Sequence, residues 1–355
     1  MPLLSAEQLD VVISTLLQAT GASLEDARVV ARHCVKANLA GHDSHGVIRV
    51  PDYIDNIKNG DTVPNADMEI ERDTETTTVV NGNWGFGQVV SEKVMEITID
   101  KASRNNVAAA TVFRQAHVGR LTDYPVMAAE AGLISLMTAD SGRGPKSVVP
   151  FGGRESRLGT NPLCIAMPSD LEGPFFMDFA TSAVAGGKIA VAAARELSIP
   201  EGWIIDEMGN ATTDPNALAN GGAILPLGGP EGHKGYGLSA MVEIFSGILT
   251  GLGFGLEPSG RHNDGCFIAA FKVEAFRSLE EFKREVGDFA RYLKSSLPAS
   301  GFKEVYYPGE LEFLTTQQRL KDGVFIEDKT WARLDALAKE YGLDDFMEFQ
   351  QGIIK

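Results

Sequence analysis

Apolar residues recur at helical spacing at both ends of the chain and in short unbroken runs through its middle. Near the amino end Leu9, Val12, Ile13, Leu16 and Leu17 form one stripe behind Ser5 and Gln8, which have capping-box spacing. A second stripe, Ala27, Val30, Ala31, Cys34 and Val35, follows Ser23 and Asp26 at the same spacing, and Gly41 ends it. Residues 5 to 58 are therefore expected to be helical. Towards the carboxyl end Trp331, Leu334, Leu337, Ala338 and Tyr341 repeat in the same way, and Asp345 to Gln351 is expected to add a last short helix. Helices at both termini predict that the two ends meet in one helical lobe, residues 1–75 with 311–355.

The middle, residues 76–310, reads as mixed α/β. Strands are expected at Met68 to Asp73, Thr76 to Val80, Ala108 to Phe113, Leu133 to Ala139, Leu163 to Met167 and Phe175 to Asp178. Helices are expected at Gln88 to Arg104, Val184 to Ala194 and Gly235 to Gly251. No internal repeat or linker separates these segments, so the lobes are expected to interleave.

A length of 355 residues allows two or three lobes with a large core. The formal net charge of −16 opposes general affinity for nucleic acid or an anionic membrane, which leaves a small molecule as the expected partner. No apolar run reaches the roughly 18 residues that span a bilayer. The start, Met1-Pro2-Leu3-Leu4-Ser5, lacks the basic and apolar segments of an export signal. Cys34, Cys164 and Cys266 are far apart and form no paired motif, as expected of reduced, buried thiols in a cytoplasm.

The candidate chemistry is concentrated in Gly41-His42-Asp43-Ser44-His45-Gly46-Val47-Ile48-Arg49-Val50-Pro51-Asp52-Tyr53. If Val47 to Ile57 resumes as a helix, Arg49 and Tyr53 share a face. Two imidazoles, a hydroxyl, a guanidinium and a phenol together can handle a proton and a carboxylate; a solvated polar turn is the plainer alternative. His42 and His45 have ligand-like spacing, but a zinc hydrolase needs i, i+4 histidines on a helix and a third ligand. The chain has no Gly-x-Gly-x-x-Gly, and Gly187-Lys188 is followed by Ile189, so neither a Rossmann fingerprint nor a Walker loop is present. Several glycine-rich turns remain, two at the start of expected helices, where free N–H groups can hold phosphate. Each alone fits a turn with a helix cap as well.

Taken together, six segments resemble one family, the malate/L-lactate dehydrogenases of the second, non-Rossmann type. They are Gly41 to Gly46, His117-Val118-Gly119-Arg120, Gly159-Thr160-Asn161-Pro162, Asp178-Phe179-Ala180-Thr181-Ser182, Gly232-His233-Lys234-Gly235-Tyr236-Gly237 and Tyr307-Pro308-Gly309-Glu310. Phe86-Gly87-Gln88-Val89, Gly153 to Arg157 and Glu231 to Lys234 are most similar to the hydroxycarboxylate dehydrogenase B branch. The resemblance implies a homodimeric NAD(P)-dependent oxidoreductase with a largely antiparallel sheet flanked by helices, beside a helical lobe built from both termini. It implies substrate-site roles for Ser44, His45, Arg49, Tyr53, His117 and Asp140. It implies cofactor contacts at Ser141, Thr160, Asn161, Asp178, Phe179, Ala180, Thr181, Ser182, Lys188, His233, Lys234, Pro308, Gly309 and Glu310, and no metal. Two departures fall near the expected pocket: Leu121-Thr122-Asp123 before Tyr124, and Asp140 where many relatives carry an amide.

The expected reaction moves a hydride between a nicotinamide cofactor and a 2-oxo acid or its 2-hydroxy acid, such as lactate, malate or an aryl-lactate. A histidine suits the proton step, with His45 expected first and His117 second. Arg49 suits the substrate carboxylate. His33 and His262 are expected to be surface or packing residues. Asp178 predicts NAD over NADP, because a carboxylate near the ribose repels a 2′-phosphate. Reduction of a cyclic imino acid is the alternative enzymatic reading, and a nonenzymatic binding role is the alternative in kind.

Overall fold

The stripes at the two termini pack on each other. In the computed structural model, which describes residues 2–140, 144–257, 261 and 263–343, the helix Ala6–Ala19 begins with both halves of its capping box. Ser5 Oγ accepts the Gln8 N–H at 3.2 Å and Gln8 Oε1 accepts the Ser5 N–H at 2.9 Å. The helix Leu24–Leu39 keeps only half: Ser23 Oγ accepts the Asp26 N–H, while the Asp26 carboxylate turns to the Asn65 N–H. Trp331, Leu334, Leu337 and Ala338 of the helix Asp328–Glu340 join the core formed by these two helices. Leu9, Ile13, Leu16 and Leu17 are fully buried there, each contributing about 1.5–3 kcal/mol of apolar transfer energy. Leu3–Leu4 pairs antiparallel with Val324–Phe325, which ties the terminal segments together. The expected helix Asp345 to Gln351 lies outside the described residues.

The second body is a seven-stranded sheet in the order Glu69–Asp73, Thr77–Asn81, Val107–Gln115, Asp264–Lys272, Leu133–Asp140, Pro162–Met167, Phe175–Ala180. Every neighbouring pair is antiparallel except Thr77–Asn81 with Val107–Gln115, which the helix Gly87–Asn105 connects. The boundary expected at residue 75 cuts the hairpin of the first two strands, so the helical lobe stops before Glu69. Asp264–Lys272 is the central strand and was not expected. It is buried along most of its length, so its apolar run lacks the alternation that marks a half-exposed strand. The exposed edge strand is Glu-Ile-Glu-Arg-Asp, whose charges discourage further pairing.

A third, small core forms around Val148, Leu158, Val184, Ile189, Ile199, Ile204 and Ile224. A three-stranded sheet of Ala223–Ile224, Ile204–Ile205 and Ala211–Thr212 lies on it, with the helix Gly186–Ala194 alongside. The expected helix at 235–251 is an α-helix over His233–Glu243 that widens into a π turn over Ile244–Ile248. The helices Asp123–Glu130, Leu279–Lys294 and Glu310–Asp322 were not expected.

A buried chain of charges joins the helical lobe to the sheet. His33 Nε2 lies 2.8 Å from Glu92 Oε2, its Nδ1 lies 3.3 Å from Asp123 Oδ2, and its ring stacks on Tyr124. Asp123 also pairs with Arg120 at 2.9 Å. Burial alone would lower the pKa of His33, but the two carboxylates outweigh it and raise it; Glu92 is held down at about 2, as His33 and Arg32 outweigh its own burial. His33 is thus neither a surface residue nor an apolar packing residue. Its stabilisation is expected in full only between about pH 5 and pH 6.5, the ordinary range bounded by carboxylate and imidazole titration. It falls at higher pH as His33 loses its proton, and at lower pH as the carboxylates gain theirs. His33→Leu is expected to cost about 3–5 kcal/mol at pH 6, measured by denaturant unfolding, because it leaves buried carboxylates without their partner. An equal cost at pH 6 and pH 9 would show that the charge on His33 contributes nothing.

Candidate active site

The histidine-rich turn is shaped by Asn38, near the end of its helix. Asn38 Nδ2 donates to Asp43 Oδ1 at 2.7 Å and Asn38 Oδ1 accepts the Val47 N–H at 2.8 Å. Gly46 is required here, because a Cβ would fall 2.2 Å from Asn38 Oδ1. Arg319, from the helix Glu310–Asp322, donates to both Asp43 oxygens, and His42 Nε2 lies 3.5 Å from Glu312 Oε1. Asp43 and His42 therefore fasten the turn to the helix Glu310–Asp322. Ser44 Oγ lies 3.0 Å from His45 Nδ1.

A short 3₁₀ turn over Val47–Arg49 runs into the helix Val50–Lys58, with Pro51 in its first turn, where the missing N–H is no loss. Arg49 Nε donates to the Ser44 carbonyl at 2.8 Å, and Nη1 stands 3.6 Å from Asp52, leaving a half-exposed guanidinium edge. Tyr53, one turn on, is buried.

His117 follows the strand Val107–Gln115. Gly87 lets the start of the preceding helix, Gly87–Asn105, approach it: a Cβ there would meet Ala116 O at 2.2 Å and His117 O at 2.6 Å. The neighbouring Val118 N–H donates to Asp264 Oδ2 at 3.0 Å, and Val118 O accepts from Tyr124 Oη at 2.6 Å. Tyr53 Oη lies 2.8 Å from His117 Nδ1 and accepts from Gln88 Nε2 at 3.0 Å. The His45 and His117 rings stack with centroids 5.9 Å apart. Burial pushes the pKa of His45 down to about 3, aided by His117, Arg49, His42 and Arg120. Burial pushes Tyr53 well above its ordinary value, so the phenol keeps its proton.

The structure brings Ser44, His45, Arg49, Tyr53 and His117 together, whereas the Asp140 carboxylate is engaged in an ion pair of its own. It pairs with Lys146 at 3.3 Å, and Lys146 also meets Glu243 at 3.1 Å, all three nearly inaccessible to solvent. Burial raises the Asp140 pKa, Lys146 opposes this, and Glu243 adds to it.

The expected cofactor residues divide into two groups. Thr181 Oγ1 donates to the carbonyls of Thr160 and Asn161, and Asn161 Nδ2 donates to Glu243 Oε2. Residues 181–183 run beside 225–227 through the Leu227 to Thr181 and Ala183 to Leu225 backbone bonds. This brings the starts of the helices Gly186–Ala194 and His233–Glu243 near one another, with Lys188, His233 and Lys234 exposed. Neither helix has a side-chain cap, and a Cβ at Gly186 or Gly187 would meet nothing. Free N–H groups beside cations fit a dinucleotide phosphate.

Phe179 and Ala180 are ladder residues opposite Leu163 and Pro162. Asp178 Oδ2 accepts both the Thr122 N–H, at 2.9 Å, and the Thr122 hydroxyl, at 2.6 Å, so this oxygen is engaged in holding the turn after His117. Pro308, Gly309 and Glu310 lie at the opposite end of the strand Phe175–Ala180. Pro308 O accepts the Phe176 N–H, Gly309 takes φ 95° under the Phe176 ring, and Glu310 binds Lys294 and the Tyr307 N–H. Ser141 and His262 lie outside the described residues. Gln88, Asn38, Arg319 and Lys146 were missed as individual residues; an amide, a guanidinium or an ammonium alone carries no periodic signal.

Comparison with known proteins agrees with this architecture. The malate dehydrogenase of Pyrococcus horikoshii is 38% identical over 340 residues, covering 94% of this chain and 93% of that one. Hydroxycarboxylate dehydrogenase B of Escherichia coli is 31% identical, covering 96% and 94%. The crystal structure of malate dehydrogenase from Entamoeba histolytica superposes with a TM-score of 0.91 at 33% identity, covering 96% and 98%. That of delta1-piperideine-2-carboxylate reductase from Pseudomonas syringae does so with a TM-score of 0.83 at 29% identity, covering 95% and 100%. Residues 4–335 match the malate/L-lactate dehydrogenase family as a whole, and the chain belongs to that family.

Proposed function

We propose that the protein is a nicotinamide-dependent oxidoreductase that interconverts a 2-oxo acid and its 2-hydroxy acid. The observation that carries the reading is the Tyr53–His117 hydrogen bond, set beside His45 and the open edge of Arg49. A bound nicotinamide cofactor would supply or take the hydride at the substrate carbon. The glycine-led turn at Gly186-Gly187-Lys188 and the pair His233-Lys234 would hold its phosphates. The terminal nitrogens of Arg49 grip the substrate carboxylate, while its Nε stays on the Ser44 carbonyl and fixes the direction of the grip. His117, doubly protonated, gives its Nε2 proton to the oxygen that becomes hydroxyl, and takes it back in the reverse direction.

This exchanges the two histidines relative to the order expected from sequence. With its pKa near 3, His45 is neutral at physiological pH and suits a hydrogen-bonding role, held by Ser44. A neutral His45 also spares His117 a cationic neighbour. His117→Ala is expected to lower kcat by about 10²–10⁴ with cofactor affinity unchanged, and His45→Ala by less. Full loss in His45→Ala with an active His117→Ala would restore the sequence-based order.

NAD is the proposed cofactor, with NADP the alternative. One curated relative, the ureidoglycolate dehydrogenase of Escherichia coli, is named for NAD(+), whereas the engagement of Asp178 Oδ2 by Thr122 leaves only its other oxygen for a ribose. The likeness to a piperideine-carboxylate reductase supports cyclic imino acid reduction as a second reading, in which the same clamp serves and the proton goes to nitrogen. Absorbance of the reduced cofactor, followed with NADH and NADPH against a panel of 2-oxo acids and cyclic imines, is expected to show turnover of a 2-oxo acid with NADH favoured. Activity confined to the imines would select the second reading, a tenfold preference for NADPH would reverse the cofactor, and silence across the panel would sink both readings.

The cytoplasm is the proposed site, consistent with three buried thiols, and the working unit is a homodimer. Met241, Ile244, Phe245, Ile248 and Leu249 form an exposed stripe at helical spacing on a single chain, Leu249 being 55% exposed. A second copy would bury it by symmetric pairing. Light scattering is expected to give about twice 38.1 kDa, and Ile248→Asp together with Phe245→Asp to give the single-chain mass. A wild-type monomer with full activity would overturn the dimer.

A further inference from the structure

Gln88 is the second residue of the helix Gly87–Asn105 and is 1% exposed, with Nε2 on Tyr53 Oη. A phenol has one proton to give, so the direction of each bond in the chain Gln88–Tyr53–His117 dictates the next. When the Gln88 amide donates, the Tyr53 proton points to His117 Nδ1, which the Gly119 N–H also approaches at 3.3 Å. A neutral His117 then carries its hydrogen on Nε2. That ring cannot give up a proton without becoming an imidazolate, and it has no lone pair facing the substrate with which to accept one. The working states need the opposite polarity: Nδ1–H donates to Tyr53 Oη, and the Tyr53 proton needs an acceptor on its far side. A Gln88 amide turned by 180° places Oε1 there.

We propose that Gln88 is a positioning residue that sets the polarity of this chain and, by turning its amide, switches His117 between a resting Nε2–H form and a working Nδ1–H form. The inference rests on His117 being the proton carrier. In reduction the doubly protonated ring loses its Nε2 proton to the substrate oxygen and becomes the neutral Nδ1–H ring; a proton from water at Nε2 restores it. In oxidation the Nδ1–H ring takes the hydroxyl proton on Nε2 and passes it to water. Tyr53 remains a neutral phenol throughout, and its hydrogen bond to Gln88 Oε1 turns an Oη lone pair towards Nδ1–H, which then has an acceptor there beside the Gly119 N–H that faces Nδ1 in either polarity.

Charged and titratable groups face the chain from several elements: His42, His45 and Arg49 from the histidine-rich turns, Arg120 from the turn after His117, Asp264 from the central strand and Cys34 from the helix Leu24–Leu39. None of them replaces the amide at Tyr53 Oη among the described hydrogen bonds. A carboxylate at position 88 only accepts, so it enforces the working polarity and favours the cationic ring. A thioether at position 88 enforces neither polarity.

The test combines selectively ¹⁵N-labelled histidine, His117 being assigned by its loss in His117→Asn, with pH profiles of the whole enzyme. In the wild type above the titration of His117, the nitrogen shifts are expected to report Nε2–H, and in Gln88→Glu to report Nδ1–H. The His117 limb of kcat/KM for reduction is expected to rise by about 1 pH unit or more in Gln88→Glu. Gln88→Met is expected to lose about tenfold in kcat with little change in KM or melting temperature, the scale of one hydrogen bond to a charged ring. Identical tautomers in the wild type and Gln88→Glu, or an unmoved limb in that variant, would overturn the proposal. If Gln88→Glu fails to fold, an unaltered kcat and pH profile in folded Gln88→Met would overturn it equally. The tautomer is read without turnover, so a fully active His117→Ala would remove the reading of His117 as proton carrier by a separate measurement.

Discussion

The bond between Tyr53 Oη and His117 Nδ1 is the contact on which the site depends, because its two partners belong to different lobes. Tyr53 comes from a helix of the amino-terminal lobe, and His117 from the turn that follows a strand of the sheet. Any slippage between the lobes would separate the imidazole from the phenol that orients it. A partly buried hydrogen bond whose phenol is buried is costly to leave unmade, so the interface has to be held in register by other means. The Arg120–Asp123–His33–Glu92 chain does this a short distance away, and Gly87 allows the closest approach of the helix that carries Gln88. Site and lobe junction are one structure, and residues far from the reacting atoms are constrained by it.

The local field runs against the global one. With a formal net charge of −16 the chain repels anions at long range, yet His45 sits among His117, Arg49, His42 and Arg120. Coulomb energy grows as distance and effective dielectric fall, so a few cations within a partly buried turn outweigh many distant surface carboxylates that salt screens. Ionisation of His45 is opposed by this field, whereas a carboxylate delivered to Arg49 is favoured by it. Burial first, and then the same cations, keep the His45 imidazole neutral, while those cations favour an anion at the Arg49 edge.

Much of this was legible in the sequence where a single residue acts locally. The two helix starts were readable because Ser5, Gln8 and Ser23 satisfy N–H groups three positions away, and Arg49 and Tyr53 were readable as neighbours from their four-residue spacing, whereas Ser44 and His45 were placed in the site by the family resemblance. Legibility ends where a side chain's partner is remote. Asp140 matches the expected pocket by position, but Lys146 and Glu243, from separate segments, draw its carboxylate into a buried ion cluster. Asp178 was expected to face a ribose, and Thr122, 56 positions away, takes one of its oxygens. The central strand Asp264–Lys272 escaped for a related reason: covered on both faces, it carries no period-two pattern, and its register is set by strands more than a hundred residues earlier.

The ion cluster at Asp140 also bears on how the two halves of the site communicate. Lys146 is one cation shared by two buried carboxylates, and Glu243 extends the network to Asn161, whose carbonyl accepts from Thr181 in the turn beside the proposed phosphate cradle. Asp140 ends the strand that pairs with Asp264–Lys272, and Asp264 accepts the N–H next to His117. A continuous set of hydrogen bonds and ladder contacts therefore runs from the Thr181 turn, through the buried ions and the central strand, to the backbone beside His117. In such a network two carboxylates and one ammonium leave an uncompensated charge unless a proton is held, which is the physical reason that burial and Glu243 together raise the pKa of Asp140. An amide at that position would relieve the excess negative charge but would leave Lys146 paired with Glu243 alone, so the acid and the lysine are best understood as one unit rather than as a pocket residue and a bystander.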